Sequence, residues 1–146
     1  SRQLFFGVDE EALAMQYFEG SGIGSRGDSS DPLSPVYDAM SRQDWRAALI
    51  ALDGVQGDAF RQTALQLRGE CHFRLKEYTA AADTFRRLLD SGVTPDQQDK
   101  TEWQLLLAYV AEGKHPDEQR ELIERIVGDK GHSYSGEAEK LRGEME

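Results

Sequence analysis

The sequence predicts an all-α fold in which short helices pair into hairpins. Three observations carry this. Every convincing segment spaces its apolar residues with helical periodicity, and none shows sustained strand-type alternation. The breaks between segments are mostly tight and polar, as at Lys76–Glu77. The best-formed pair of segments, Thr63–Leu89, echoes an earlier stretch in register.

The elements follow in chain order. Residues 1–8 form an irregular lead-in with Leu4, Phe5 and Phe6. Asp9 caps a short helix with Glu10 and Glu11 in its first turn, where acids suit the helix dipole. Leu13, Tyr17, Ala12 and Phe18 give it an apolar side, and it stops near Glu19–Gly20. Residues 20–32 are rich in Gly, Ser and Asp and predict a loop or mobile linker. They lack the Lys-Ser/Thr ending and preceding strand of a phosphate loop. Arg26-Gly27-Asp28 is read as a chance tripeptide, and Ser25 lacks a nucleophile-elbow setting.

Ser34-Pro35 opens a helix through Val36, Tyr37, Ala39 and Met40. After a turn at Gln43–Asp44, Asp44 caps a helix with a wide apolar pattern, Trp45 to Leu52, which breaks from Gly54 to Asp58. A helix over Asp58–Leu75 turns at Lys76–Glu77 into Tyr78–Asp90. Thr94, Pro95 and Gln97 form a helix start with a capping box, before Trp103, Leu106, Leu107, Tyr109 and Val110. Pro116 opens a helix with Leu122, Ile123, Ile126 and Val127, and Gly128–His132 forms the next break. A thin stripe of Ala138, Leu141 and Met145 marks a terminal cap over Ser135–Met145.

Trp45, Tyr78 and His115 each follow a turn, at spacings of 33 and 37 residues. Behind them come Ala48 and Leu52, Ala81 and Phe85, then Glu118 and Leu122. With Gly69 ahead of Tyr78, this pattern resembles the tetratricopeptide repeat family, whose unit is two antiparallel helices with a period near 34 residues. The resemblance spans about Ser34–Val127. It implies an alpha-alpha superhelix of tetratricopeptide-like hairpins: an N-terminal segment over 1–33, then about three repeats and a capping helix over 34–146. The third repeat departs from the pattern at His115 and Glu118. The ends of the chain, through Tyr17–Phe18 and the His132–Tyr134 turn, are similar to membrane-anchored Bacteroidetes repeat proteins. That resemblance implies a removed upstream anchor and a periplasmic location, with the cytoplasm as the alternative. The start at Ser1 fits a chain cut from a longer protein.

Composition narrows the function. A net charge of −10 argues against general nucleic-acid binding and against an anionic membrane surface. Cys71 is the only cysteine, so an internal disulfide and a multi-cysteine zinc site are excluded; a buried small residue is expected there. No apolar run is long enough for a transmembrane span. His72, His115 and His132 are scattered and form no metal signature. The acids, including Glu10, Glu11, Asp96, Asp99, Glu118, Glu121 and Glu124, are read as a solvated face; their spacing supplies no catalytic pair. Enzyme activity, a cofactor and a metal are not expected.

The expected role is therefore a non-catalytic interaction or scaffold domain that binds a protein segment in a helical-repeat groove. Projecting the period places Tyr37, Met40, Gln66, Glu70, Phe73, Arg74, Trp103, Gln104, Leu107 and Val110 along that groove. The acidic balance favours a partner with a basic patch. The alternatives are a self-associating or spacer domain and a small secretion-type chaperone. Residues 1–18 are also able to fold back across the groove.

Overall fold

The computed structural model describes residues 8–21 and 30–146. The lead-in residues Leu4, Phe5 and Phe6, the Arg26-Gly27-Asp28 tripeptide and most of the Gly/Ser stretch lie outside the described residues. Among the described residues the regular structure is all-helical: α1 (Glu10–Tyr17), α2 (Ser34–Ser41), α3 (Trp45–Asp53), α4 (Arg61–Arg74), α5 (Tyr78–Asp90), α6 (Pro95–Glu112), α7 (Pro116–Gly128) and α8 (Ser135–Met145). The single helix expected over Asp58–Leu75 is divided. Asp58–Phe60 forms one 3-10 turn before α4, and Phe60, at φ −105° and ψ 0°, departs from α-helical geometry where the two meet. No described helix is long and apolar enough to cross a membrane.

The chain forms two compact units. One comprises residues 19–91, with α2 to α5; the other comprises residues 1–18 and 92–146, with α1 and α6 to α8.

In the 19–91 unit, α2 packs on α3, α3 on α4 and α4 on α5. Leu33, Val36, Met40, Leu49, Leu52 and Leu67 surround the small residues Ala39, Ala48 and Cys71 in its core. Gly69 lets α4 and α5 approach closely: a Cβ there would lie 2.4 Å from the ring of buried Phe85. Asp44 caps α3 by accepting from the Ala47 N–H at 3.0 Å. Glu77 precedes α5 but does not cap it. Its carboxylate instead accepts from Arg46 Nη2 at 2.7 Å and lies 2.8 Å from His72 Nδ1, tying α3 to the α4–α5 corner.

Those contacts set a pH dependence. The Arg46 hydrogen bond foremost, then His72, holds the Glu77 carboxyl below its ordinary 4.5, against a smaller opposing effect of burial. A depressed folded pKa stabilises above the unfolded value, and the contribution disappears as pH falls through the folded one. The Glu77→Gln variant is expected to lose less than about 1 kcal/mol at pH 7, as befits a half-exposed pair. Urea midpoints of the two proteins should draw together as pH falls below 4.5 and through the lowered folded pKa; a gap that does not narrow with acidification would exclude the charge as its source.

The helix corners share one backbone. At the first, Gln43 is left-handed (φ 58°) and the Asp44 N–H donates to Ala39 O. At the second, Lys76 is left-handed (φ 62°) and the Glu77 N–H donates to His72 O. At the third, Gly113 is left-handed (φ 71°) and the Lys114 N–H donates to Tyr109 O. Each bond spans five residues, the Schellman closure of a helix C-terminus. The spacings are again 33 and 37 residues.

In the second unit α6 packs on both α1 and α7, and α8 on α7 and α1. Thr94 caps α6 by accepting from the Gln97 N–H. Flanked on two sides, α6 is buried continuously from Thr101 to Ala111. Its corner with α7 carries an extra residue, His115, also left-handed (φ 62°), so α7 begins at Pro116. The register moves by one. Glu118, aligned by sequence with Ala48 and Ala81, is exposed, and Gln119 is buried instead. Gln119 Nε2 donates to Tyr109 O and Lys114 O at 3.2 and 2.7 Å, supplying partners to carbonyls at the end of α6.

Candidate functional site

Eight of the ten projected groove residues are buried: Met40, Gln66, Glu70, Phe73, Trp103, Gln104, Leu107 and Val110. Tyr37 and Arg74 retain partial exposure, both in the 19–91 unit. Phe73 is wholly enclosed and meets Tyr78 edge-on at 5.2 Å across the α4–α5 corner, so it acts as a packing residue.

Within the 19–91 unit the covering at Glu70 is polar. Glu70 is 1% exposed. Its carboxylate accepts from the Ser21 N–H and Ser21 Oγ, each at 2.8 Å, and from Gln66 Nε2 at 3.4 Å. A Cβ at Gly20 would lie 3.3 Å from the same carboxylate. The chain leaving α1 is thus bound to the side chains projected as groove lining. Tyr37 stands nearby; partial burial, then the charges of Asp31 and Glu70, raises its phenol pKa.

Within the other unit the covering at Trp103 is a helix. α1 lies on α6, with Leu13, Ala14 and Phe18 buried. The Tyr17 ring meets Trp103 edge-on at 6.1 Å, and the Tyr17 hydroxyl donates to the Glu144 carboxylate on α8. That hydrogen bond foremost, then burial and the Glu144 charge, raises the Tyr17 pKa to about 12. Of the side chains assigned to the apolar face of α1, Ala12 is exposed, and Ala14 takes the inner position.

The Trp103 ring also stacks on Tyr134, 5.5 Å away and 10° from parallel. Beneath that turn is a polar cluster that the spacing of the histidines does not reveal. Buried His132 reaches α6, with Nε2 3.0 Å from Glu102 Oε1 and 3.4 Å from Asp99 Oδ1. Asp99 Oδ2 accepts from the Ser133 N–H and Oγ, and Arg125 lies 3.4 Å from Glu102 Oε2. Asp99 and Glu102 therefore anchor the turn before α8, whereas sequence placed Asp99 on a solvated face.

Asp99, Glu102 and His132 present ligand-type atoms within 4.8 Å of one another, which invites comparison with a metal site. The second ring nitrogen argues otherwise. His132 Nδ1 accepts the Tyr134 N–H at 3.1 Å, and a backbone N–H only donates, so Nε2 carries the ring proton. A metal-bound histidine has the reverse polarity, with the outer nitrogen donating. The Nε2–H thus donates to Glu102 Oε1, with Asp99 Oδ1 beside it. Cys71 is fully buried, and burial foremost, then Glu70, raises its thiol pKa to about 12, an environment opposite to that of a nucleophilic thiolate.

Comparison of the chain with protein-family models, curated proteins and solved structures finds no match.

Proposed function

We propose that the chain is a non-catalytic protein–protein interaction or scaffold domain built of tetratricopeptide-like hairpins. The observation that supports this best is the recurrence of one left-handed corner at Gln43, Lys76 and Gly113, on the 33- and 37-residue spacing of the sequence pattern. The accessible part of the recognition surface is Tyr37 on α2 and Arg74 on α4, and the net charge of −10 favours a partner segment with a basic patch. Buried groove residues such as Phe73 and Leu107 hold the helices together. An upstream membrane anchor and a periplasmic setting belong to the same proposal, on the likeness at Tyr17–Phe18 and His132–Tyr134 alone.

In-cell photocrosslinking tests the reading. A photoreactive residue at Tyr37 or Arg74 should trap a defined partner protein, whereas one at Ile50, 67% exposed on α3, should not. Crosslinks only to further copies of the chain would replace partner binding with self-association. No crosslink above the Ile50 background at either position would end the peptide-binding reading.

A further inference from the structure

We infer that the turn at His132 is a pH-sensitive switch: the neutral ring holds the Tyr134 backbone, and with it the Tyr134 ring on Trp103, and a second proton on His132 releases both. The inference is independent of the reading of the chain as a protein-binding domain and lies within one compact unit, residues 1–18 and 92–146. Its basis is the division of labour between the two ring nitrogens. Nε2 faces Glu102 Oε1 at 3.0 Å and Asp99 Oδ1 at 3.4 Å. Nδ1 faces the Tyr134 N–H at 3.1 Å. A ring with one proton serves both sides, donating from Nε2 and accepting at Nδ1. A ring with two protons donates from both nitrogens, and its Nδ1–H then meets a backbone N–H that has nothing to accept with.

The surroundings draw the second proton in. The His132 side chain is 3% exposed, so water screens its neighbours little. From α6 it faces the carboxylates of Asp99 and Glu102; from α7, Arg125 lies 3.4 Å from the other oxygen of Glu102. In its own turn Asp129 is engaged with the Gly131 N–H, and across Trp103 the Tyr17 hydroxyl is engaged with Glu144 of α8. Two carboxylates therefore meet one guanidinium beside the ring, and an imidazolium would balance the remaining negative charge. The Tyr134 N–H alone stands against that proton.

The release is confined to one peptide. A doubly protonated ring keeps its Nε2–H on Glu102, and the Ser133 N–H and Oγ stay on Asp99 Oδ2. The contact that does not survive is the Tyr134 N–H, so the Ser133–Tyr134 peptide turns away. Tyr134 directly precedes α8, at φ −116° and ψ 20°, and turning its N–H changes φ and redirects its ring. That half-buried ring stacks on Trp103, itself 2% exposed, and its departure opens the indole to water. Imidazole gains its charge between about pH 5 and 8. Because the Tyr134 bond favours the neutral ring, the closed turn is fully present above the transition and is lost as pH falls through it.

The test follows the full chain by NMR from pH 8 to pH 5, reading the His132 ring nitrogens and the protection of the Tyr134 amide after correction for intrinsic exchange. Trp103 emission is read beside it in a Trp45→Phe background. At pH 8 Nδ1 should carry no proton and the Tyr134 amide should be protected. As Nδ1 takes its proton, that protection should fall at least tenfold and Trp103 emission should change with the same midpoint. His132→Asn supplies an acceptor that reaches the backbone two residues on but does not titrate, so both signals should stay flat. Glu102→Gln removes one of the charges that draw the proton in, and should move both signals together to lower pH. That shift keeps the test decisive if His132→Asn fails to fold, since a merely structural role for Glu102 would not move a midpoint. A proton on Nδ1 at pH 8, a ring that takes no second proton by pH 5, or a ring that takes it while Tyr134 stays protected overturns the inference. So does an equal emission change in folded His132→Asn, or an unmoved midpoint in Glu102→Gln.

Discussion

Gly69→Ala is expected to destabilise the chain by about 2 kcal/mol, although alanine is the better helix former. Two effects oppose each other. In a helix interior alanine gains about 1 kcal/mol over glycine. Against this, the new Cβ would sit 2.4 Å from Phe85 Cε1 and 2.8 Å from both Cδ1 and Cζ. Those atoms belong to a rigid ring that is itself fully buried, so relief requires α4 and α5 to separate. Overpacking of this kind costs about 1–3 kcal/mol, occasionally more, and the triple contact places it at the upper end. Phe85→Leu should cost about 1 kcal/mol alone and recover most of the loss in the Gly69→Ala background. The double-mutant cycle in urea should therefore give a coupling above about 1 kcal/mol. A Gly69→Ala protein as stable as wild type would mean that the helices do not approach as closely as described.

Trp103→Ala is expected to cost about 3–5 kcal/mol, the range for deleting a large buried aromatic. Trp103 is 2% exposed and meets two rings, Tyr17 nearly perpendicular and Tyr134 stacked. Its loss removes contacts from α1 and from the turn before α8 together. Hydrogen exchange should consequently accelerate at α1 and at residues 132–135 more than at α4 and α5, which belong to the other unit. Trp103→Phe should retain about half of the stability by keeping an aromatic face for Tyr134. Were Trp103 a groove residue open to solvent, the alanine variant would lose less than about 1 kcal/mol, and the fluorescence-monitored urea transition would shift little. This measurement separates a packing role from a peptide-contact role at the most prominent aromatic in the chain.

The difference between these roles shows where reasoning from pattern succeeds. The span Tyr78–Asp90 and the span Ser135–Met145 follow directly from local signals, as do the capping of α1 by Asp9, α3 by Asp44 and α6 by Thr94. The close approach at Gly69 was also foreshadowed, because a small residue opposite an aromatic at repeat spacing has few other uses. Burial of the projected groove was not. A period specifies which side chains share a face, but not what lies on that face. Ser21 against Glu70 and Tyr17 against Trp103 pair residues 49 and 86 positions apart, and no short-range periodicity registers either.

The one-residue shift at the α6–α7 corner has the same origin. Aligned by count, Glu118 stands where the other hairpins hold alanine; in space, His115 adds a step and Gln119 turns inward. Likewise His132, Glu102 and Asp99 are unremarkable in sequence and become one hydrogen-bonded cluster only when the last turn lies on α6.

By itself the sequence determined the helical class, most element boundaries, the tight corners and the small residues that allow helix contact. These depend on interactions within a few residues: apolar periodicity, side-chain caps, proline at first turns and left-handed closures. Tertiary structure alone decided which helix faces are covered, that α1 occupies α6, and that Glu70 and Glu102 are enclosed and, with half-buried Asp99, hydrogen-bonded. Those outcomes rest on contacts between distant segments, where burial and hydrogen bonding are settled by what each surface meets.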